Sequence, residues 1–352
     1  MARLARKIFG KASALCRELQ YSYSPDKKLI QKMEENPGTL SIELTNICNA
    51  NCVFCAYQYQ RRLKQVMADW VFEKAIRDYV EMGGGDLYLD TLVGDPLLDP
   101  KVVSRVKYAR SFPGIKRIET ITNCLNLHNV GARNLLTSGL NKISVSTVGF
   151  DSEMYTRIYR NAHFEQMKAN LLELLKVNRE LGKPVRIAVG LRVDKPMAEV
   201  MSSTGFEAVV KWADEVDGNY YFDSWSGRIK SEDLPGQMRL RPKALFFMKK
   251  RVPCLQLWLG IGVLVDGIIT ACSCRDLNAD SDLVLGHLRE ITLREAYQSG
   301  SLKKIREEWF ESLGIPGICK DCRQYNPYTY SMLPEVKNEL FGEERDVVQH
   351  RV

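Results

Sequence analysis

The sequence predicts an α/β fold in which a parallel sheet, open or curled into a partial barrel, precedes a smaller cysteine-rich region. Two observations lead to this prediction. Six strand-like segments alternate with helix-like segments up to about residue 230. A basic linker follows, and the region after that linker contains five cysteines. A chain of 352 residues with 45% hydrophobic residues can bury a core without disulfide bonds. No window approaches about 18 uninterrupted apolar residues, so no membrane-spanning helix is expected.

The charge and the cysteine content narrow the class of protein. A net charge of +7 is mild for this length and suits an anionic ligand, but it does not indicate nucleic acid. No secretory signal is visible, so the ten cysteines are predicted to lie in a reducing cytoplasm and to bind metal rather than form disulfides. None of the four histidines has zinc-site spacing from a cysteine pair, and all-thiolate ligation favours iron–sulfur or zinc.

Residues 1–38 are predicted to form a basic extension, with the pattern of a short amphipathic helix over 1–20. We expect this helix to dock on the body of the protein, and contact with a membrane surface is the less favoured alternative. Cys16 within it is expected to be a small buried apolar residue.

The first strand is predicted at 40–44, where apolar and polar residues alternate. Asp69 begins a helix that ends at the glycines of 83–85, and a second strand follows at 86–93. Further strands are predicted at 117–122, 142–147, 185–193 and 219–223, with helices near 164–181 and 205–215. In such folds the active site lies at the carboxyl ends of the parallel strands.

The pattern changes after Arg228, and we place the barrel at 39–235, a cysteine-rich domain at 236–330 and a C-terminal tail at 331–352. Asp266-Gly267 lies between apolar alternations and predicts a β-hairpin that brings Cys254 and Cys272 toward each other. A turn and a helix are predicted over 286–297. Beyond them, Cys319 and Cys322 lie in a predicted loop flanked by glycine and proline.

Three cysteines, Cys48, Cys52 and Cys55, directly follow the first strand at its carboxyl end. Three thiolates in so short a loop can bind three irons of a cubane cluster and leave the fourth iron open to a substrate. The alternative is a structural zinc or cluster site whose fourth thiolate comes from elsewhere.

This C-x3-C-x2-C loop, with Phe54 before its third cysteine, resembles the radical S-adenosylmethionine (SAM) superfamily. Further segments resemble the superfamily's motifs in the same order along the chain. Gly94-Asp95-Pro96 resembles its Gly-Gly-Glu-Pro motif, and Thr122-Asn123-Cys124 resembles its Thr-Asn-Gly motif. Residues 144–147 resemble its fourth-strand serine segment, and residues 160–164 resemble its Arg-Gly-x-Gly-Phe motif. The sequence departs from these motifs at Val93, Asp95 and Cys124, and at both glycines of the last one.

The resemblance implies a partial (β/α)6 TIM-like barrel and a SAM-binding 4Fe–4S cluster held by Cys48, Cys52 and Cys55. It also implies a set of cofactor-binding positions: Gly94 and Asp95 for the SAM amine, Ser146 with Arg160 or Arg192 for its carboxylate and ribose, and Phe54, Pro96 and Asn123 around them. An electron from the reduced cluster would cleave SAM to a 5′-deoxyadenosyl radical, which abstracts a hydrogen atom from the substrate. A protein such as flavodoxin or ferredoxin is the expected electron donor.

The C-terminal region resembles the SPASM/twitch domain of the same superfamily. No cysteine follows Cys322, so the match is to the shorter twitch form, a β-hairpin plus helix with one auxiliary 4Fe–4S cluster. The resemblance implies Cys254, Cys272, Cys319 and Cys322 as its ligands, with a structural zinc ribbon as the alternative. Four thiolates fill such a cluster, so direct ligation of the substrate is not expected.

The predicted function is dehydrogenation, epimerisation or decarboxylation of a small polar, sugar-like substrate. The alternatives are a maturase acting on a ribosomally made peptide and a non-enzymatic iron–sulfur or zinc scaffold. An epimerase must return a hydrogen atom, commonly from a thiol, and Cys274 and Cys124 are the candidate donors, with an inert core thiol as the alternative for each. Arg61, Arg62 and Lys64 suit either a substrate phosphate or, as we favour, a solvated face.

Overall fold

The computed structural model describes residues 33–89, 92–242, 253–272, 275–312 and 314–325. Its main strands are Thr39–Ile42 (β1), Gly85–Tyr88 (β2), Ile115–Thr122 (β3), Lys142–Thr147 (β4), Arg186–Arg192 (β5) and Glu215–Asn219 (β6), then Tyr221–Phe222 (β7), Arg239–Leu240 (β8), Gly260–Val263 (β9), Ile268–Thr270 (β10) and Val284–His287 (β11). Among the described residues, nine of these strands form one sheet in the order β11-β10-β9-β1-β2-β3-β4-β5-β6, and β7 pairs separately with β8.

Helices fill the connections between the strands. They are Asp69–Glu81 (α1), Val102–Arg110 (α2), Leu127–Val130 (α3), Ala132–Leu136 (α4), Ser152–Tyr159 (α5), Phe164–Glu180 (α6), Met197–Met201 (α7), Glu207–Trp212 (α8), Gln256–Leu259 (α9), Leu293–Tyr297 (α10), Gly300–Ser312 (α11) and Gly317–Lys320 (α12). The first of them shows why they form: α1 buries its residues at helical spacing from Val71 to Tyr79, and it ends before three glycines with positive φ.

The six strands from β1 to β6 are parallel neighbours, and helices link them along the chain. This is the partial (β/α)6 barrel that the sequence predicts. Because the strands are parallel, the loops after β1, β2, β3 and β4 leave the sheet at the same edge. The predicted site segments follow these strands and therefore meet at that edge.

The C-terminal strands extend the same sheet from its other side. β9 pairs in parallel with β1, from Thr39 opposite Gly260 to Ile42 opposite Val263. β10 returns antiparallel to β9, so the hairpin predicted at Asp266-Gly267 is present, and β11 adds a further antiparallel strand. The division into domains at 235 and 330 stays a prediction.

The sixth strand lies earlier in the chain than predicted. β6 is Glu215–Asn219, whereas the predicted segment 219–223 leaves the sheet and forms β7. The apolar side chains that suggested a strand there serve another contact, since Phe222 stacks on Phe54 with ring centroids 5.1 Å apart. β6 borders only β5 and is partly exposed, so it needs no apolar run.

Three smaller boundaries also differ from the predictions. The second strand ends at Tyr88, residues 286–287 belong to β11 rather than to a turn, and Cys319 lies in α12 rather than in a loop. The predicted N-terminal helix with Cys16, the candidate donor Cys274 and the tail 331–352 lie outside the described residues. Within the residues described, no helix has both the length and the apolar character needed to cross a membrane.

Candidate functional site

The loop that carries Cys48, Cys52 and Cys55 follows β1 and is fixed by the end of α5. The backbone N–H of Asn51 donates to the carbonyl of Tyr159 at 3.1 Å, and that of Val53 donates to the carbonyl of Ile158 at 2.9 Å. Carbonyls in the last turn of a helix have no partner within it, so they are free to accept from this loop. The path of the cysteine loop is therefore set by a helix that follows the fourth strand.

Gly94 brings the loop after β2 against the cysteine loop. Its φ is +102°, and a Cβ at this position would lie 2.2 Å from the carbonyl oxygen of Thr45. No other residue fits that approach without moving the backbone. The sequence resemblance places the SAM amine here, and the structure adds a steric reason for glycine.

Asp95 joins the loops after β2 and β3 through its buried carboxylate, which is 2% exposed. It accepts from the backbone N–H of Leu97 at 3.0 Å, from the backbone N–H of Asn123 at 2.7 Å and from the Thr122 hydroxyl at 2.9 Å. Burial raises the pKa of Asp95, and the bonds from Asn123 and Thr122 partly offset this. Its carboxylate is thus engaged within the protein, and this does not favour the predicted contact with the SAM amine. Pro96 begins a buried 3-10 turn directly after it.

Asn123 and Cys124 occupy the end of β3 and differ sharply in surroundings. The Asn123 side chain donates to the side-chain oxygen of Asn49 at 2.8 Å and lies 3.8 Å from Cys48 Sγ, so it faces the cysteine loop. Cys124 has a φ of +65° and is fully buried in the main hydrophobic core. A hydrogen donor must contact the substrate, so this position favours the inert alternative for the Cys124 thiol.

Burial raises the pKa of all three thiols of the cysteine loop. Burial raises the pKa of Cys48 to about 12, with added repulsion from Asp95 and Cys55. Burial also raises the pKa of Cys52, the two neighbouring thiols raise it further, and the charge of Arg192 partly offsets this. Close thiols whose negative charges repel fit a bound cationic centre, because a metal reverses that repulsion.

Aromatic side chains surround the loop. Phe54 stacks on Phe222 and meets Tyr159 edge-on at 5.7 Å. The Tyr159 hydroxyl is 3.0 Å from the hydroxyl of Ser146, at the carboxyl end of β4. Ser146 therefore lies beside the loop, as the resemblance implies.

The two arginines proposed for the SAM carboxylate differ in position. Arg192 ends β5 and acts electrostatically on Cys52 and Tyr159, so its charge lies near the cysteine loop. Arg160 is exposed and donates to the side chain of Gln58 at 3.2 Å. Arg192 is therefore better placed than Arg160 to bind the SAM carboxylate.

Of the three basic residues after the cysteine loop, Arg61 and Lys64 are exposed, as the sequence predicts, whereas the Arg62 side chain is buried. Arg62 makes a buried two-pronged ion pair with Glu43, with both distances 2.7 Å, and its Nε donates to the carbonyl of Leu277. Arg61 pairs at the surface with Asp280, and Lys64 lies over the ring of Tyr57. The buried Arg62 thus serves packing between the barrel and the C-terminal strands rather than a phosphate.

A second set of thiols lines one small, largely apolar cavity: Cys254, Cys272, Cys319 and Cys322. Leu257, Trp309 and Tyr325 form much of the remaining wall. Within the described ranges, no three histidine, cysteine or carboxylate groups are arranged to hold a single metal ion. A four-iron cluster places each thiolate on a separate iron, so four thiols around one cavity suit it without that convergence.

A partly buried hydrogen-bond network, which we call the Asp223 network (Asp223, Trp225, Arg275 and Arg323), links the two cysteine sets. Asp223 accepts from the backbone N–H groups of Trp225 at 2.6 Å and Arg323 at 2.9 Å, and from the Arg275 side chain. Arg275 lies over the Trp225 ring at 4.4 Å, and Trp225 Nε1 donates at 3.1 Å to the carbonyl of Phe54. The network spans from the residue before the third cysteine of the first set to the residue after Cys322. No sequence motif indicated it.

Comparison with known proteins identifies two family matches. Residues 42–201 match the model of the radical SAM superfamily, and residues 254–323 match that of an iron–sulfur cluster-binding (SPASM) domain. Among curated proteins, the chain is 30% identical over 135 residues to a GTP 3′,8-cyclase of Chlorobaculum tepidum, covering 38% of this chain and 40% of the relative. It is 26% identical over 149 residues to a probable GTP 3′,8-cyclase of Methanothermobacter thermautotrophicus, covering 42% of this chain and 47% of the relative. The chain thus spans less than half the length of these relatives.

Solved structures share the fold at low identity. BtrN in complex with AdoMet and 2-DOIA has a TM-score of 0.51 at 14% identity, covering 83% of this chain and 97% of BtrN. SuiB of Streptococcus suis bound to the precursor peptide SuiA has a TM-score of 0.59 at 14% identity, covering 87% and 75%. The anSMEcpe structure with AdoMet and the Kp18Cys peptide has a TM-score of 0.53 at 13% identity, covering 86% and 99%.

Proposed function

The chain belongs to the radical SAM superfamily and carries a SPASM-type iron–sulfur domain, and from this premise we propose that it is an enzyme that removes a hydrogen atom from a small polar, sugar-like molecule. The observation that carries the enzymatic part is the convergence of four strand ends on one three-thiol loop. The loop after β1 is held by the end of α5 and by Gly94, while Asn123 faces it from the end of β3.

Cys48, Cys52 and Cys55 would hold the SAM-binding 4Fe–4S cluster, and the four thiols of the C-terminal cavity would hold the auxiliary one. When bound and reduced, the first cluster supplies the electron that converts SAM into a hydrogen-abstracting 5′-deoxyadenosyl radical. The chain's own residues orient the cofactor and exclude water around it. The expected electron donor is a small protein such as flavodoxin or ferredoxin.

The positions of the charged groups suggest how SAM is oriented. Arg192 supplies positive charge beside the cysteine loop for the SAM carboxylate, and Ser146 offers a hydroxyl next to it. Because the Asp95 carboxylate already accepts three hydrogen bonds, the SAM amine is proposed to meet backbone carbonyls of the loop at Gly94 rather than that carboxylate.

An open, polar cleft of about 380 Å³ supports the choice of a small substrate. Its walls include Ser226, Arg228 and Asp282, together with Asp321, which directly precedes Cys322. Ser226 follows Trp225, whose indole contacts the first cysteine loop, so the cleft lies between segments that reach both cysteine sets. The volume and the mixed charges suit a polyhydroxylated or aminated small molecule better than an apolar one. BtrN, which has a similar fold, was solved in complex with AdoMet and 2-DOIA.

The test is formation of 5′-deoxyadenosine by anaerobically reconstituted protein against sugars, aminocyclitols, nucleosides and short peptides. We expect turnover with a small polar compound, and Asp282→Asn should raise its KM at least about 5-fold, whereas the exposed control Glu165→Gln should leave it unchanged. Turnover with peptides alone would instead support the maturase alternative. If reconstituted protein cleaves no SAM under any condition, the proposal is wrong.

The outcome of the reaction after hydrogen abstraction stays open between dehydrogenation, epimerisation and decarboxylation. A fully ligated auxiliary cluster suits the acceptor of a second electron in a dehydrogenation. Cys274, two residues beyond Cys272 and outside the described residues, remains the candidate donor for an epimerisation.

A further inference from the structure

Tyr155 lies on α5 directly beneath the cysteine loop. It is one turn before Ile158 and Tyr159, the two residues whose carbonyls accept from that loop. Its ring stacks on the Tyr159 ring with centroids 4.9 Å apart and an interplanar angle of 5°. The Phe164 ring also packs against Tyr155, with centroids 5.7 Å apart, and Tyr155 is 0% exposed.

The Tyr155 hydroxyl has no hydrogen-bond partner among the described residues, although it is buried. This distinguishes it from the stacked Tyr159, whose hydroxyl meets Ser146 at 3.0 Å. After burial, the strongest influences that raise the pKa of Tyr155 come from Cys52, Cys124 and Cys48. Three thiols, two of them on predicted cluster ligands, are therefore among the groups that act electrostatically on this hydroxyl.

A buried hydroxyl without a partner is rare, and it indicates an acceptor that belongs to the complete site. We propose that the Tyr155 hydroxyl donates a hydrogen bond to sulfur of the first cluster, either Cys52 Sγ or a cluster sulfide, and thereby raises the cluster's reduction potential. This inference rests on the proposed function, since it requires the cluster at the first cysteine loop. Hydrogen bonds to sulfur stabilise the more negative, reduced state, so removing one makes reduction less favourable.

The competing acceptor is the core thiol of Cys124, which also lies near the hydroxyl. A bond to that thiol would satisfy the hydroxyl without touching the cluster. The two arrangements predict different outcomes for the potential of the first cluster, and this difference defines the experiment.

The experiment compares wild type, Tyr155→Phe and Tyr79→Phe after anaerobic reconstitution. Tyr79 is a matched control, because it is a buried barrel tyrosine whose hydroxyl bonds to the carbonyl of Asp86 near the amino end of β2, away from the cysteine loop. The potential of the cluster whose electron paramagnetic resonance signal responds to SAM is measured by redox titration. The potential is an intensive quantity, so incomplete loading of a variant does not prevent the measurement.

We expect Tyr155→Phe to shift the reduction equilibrium about 10-fold toward the oxidised cluster, which is about 59 mV for one electron, and Tyr79→Phe to leave it unchanged. In cluster-free protein, thermal stability should show the opposite pattern, with an effect of the control variant alone. Tyr155→Phe should not lower the unfolding midpoint, since its hydroxyl has no protein partner there, whereas Tyr79→Phe should lower it. A SAM-responsive cluster with the same potential in wild type and Tyr155→Phe would overturn this inference alone. Wild-type protein without any SAM-responsive cluster would overturn the proposed function as well.

Discussion

Replacing Asp95 by Asn should destabilise the protein in the absence of any cofactor. The buried carboxylate accepts from two backbone N–H groups, those of Leu97 and Asn123, and from the Thr122 hydroxyl. An amide keeps one acceptor oxygen, so in either orientation one backbone N–H faces an amide nitrogen. The hydroxyl of Thr122 can rotate, but a backbone N–H cannot.

The expected loss of stability follows from the one backbone N–H group that loses its acceptor. A buried donor left without its charged acceptor lowers the free energy of unfolding by about 1.5–3 kcal/mol. The desolvation that raises the pKa of Asp95 is relieved in the amide and offsets part of this, which leaves about 2 kcal/mol. The exposed control Asp217→Asn should change the value by less than about 0.5 kcal/mol.

The assay is urea unfolding of cluster-free protein, with SAM affinity of the reconstituted protein measured in parallel. Asp95→Asn should lower stability and change SAM affinity only in proportion to the cluster retained. If stability equals that of Asp217→Asn while SAM binds at least about 10-fold more weakly at full cluster content, the carboxylate faces the cofactor, and our assignment of its role is incorrect.

Four further predictions concern the cysteine sets. Gly94→Ala places a Cβ 2.2 Å from the carbonyl oxygen of Thr45, so iron analysis should find the first cluster lost, and normal iron content would contradict the steric argument. Replacing the first three cysteines by Ala should remove about half of roughly eight irons and all SAM cleavage, whereas zinc in the second site would refute the two-cluster assignment. The pKa of Cys48 rises from 9.0 to about 12 because of burial, so at pH 8 its thiolate fraction is about 1000-fold below that of an ordinary thiol. Cluster assembly must release this proton and should strengthen with rising pH, and alkylation of cluster-free Cys48 at the rate of free cysteine would exclude this. In deuterated buffer, an epimerised product should carry one deuterium at the inverted carbon and disappear in Cys274→Ala, whereas an oxidised product formed equally by both proteins would exclude the thiol donor.

The cysteine spacing carried most of what the sequence could predict about the site. Cys48, Cys52 and Cys55 lie within one loop after a recognisable strand, and Cys254 and Cys272 flank a recognisable hairpin, so local pattern indicated these groupings, whereas Cys319 and Cys322 joined the second set only through the family resemblance. The same applies to most strands, because buried parallel strands read as short apolar runs. The predicted position of β6 is wrong, because a strand at the edge of the sheet needs no apolar run.

The groups that sequence reasoning missed depend on contacts between distant segments. Arg323 donates to Asp223 across 100 positions, and Arg62 meets Glu43 and Leu277 in a pairing that no spacing rule indicates. The charge of Asp95 was visible in the sequence, but its three donors were not, because they come from the turn after it and from the end of β3. The sequence shows which functional groups are present, but only the fold determines which of them contact one another.

The parallel pairing of β1 with β9 has a consequence for synthesis on the ribosome. The strand that leads into the first cysteine loop has β9 as one of its two sheet neighbours, and that neighbour is made about 220 residues later. At about 5–20 residues per second, the β1 edge stays unpaired for about 10–45 s of translation. An uncovered strand edge is a site for pairing with other chains, so nascent barrels need shielding during this interval. Truncation before the C-terminal hairpin should therefore yield aggregates rather than a soluble half-enzyme.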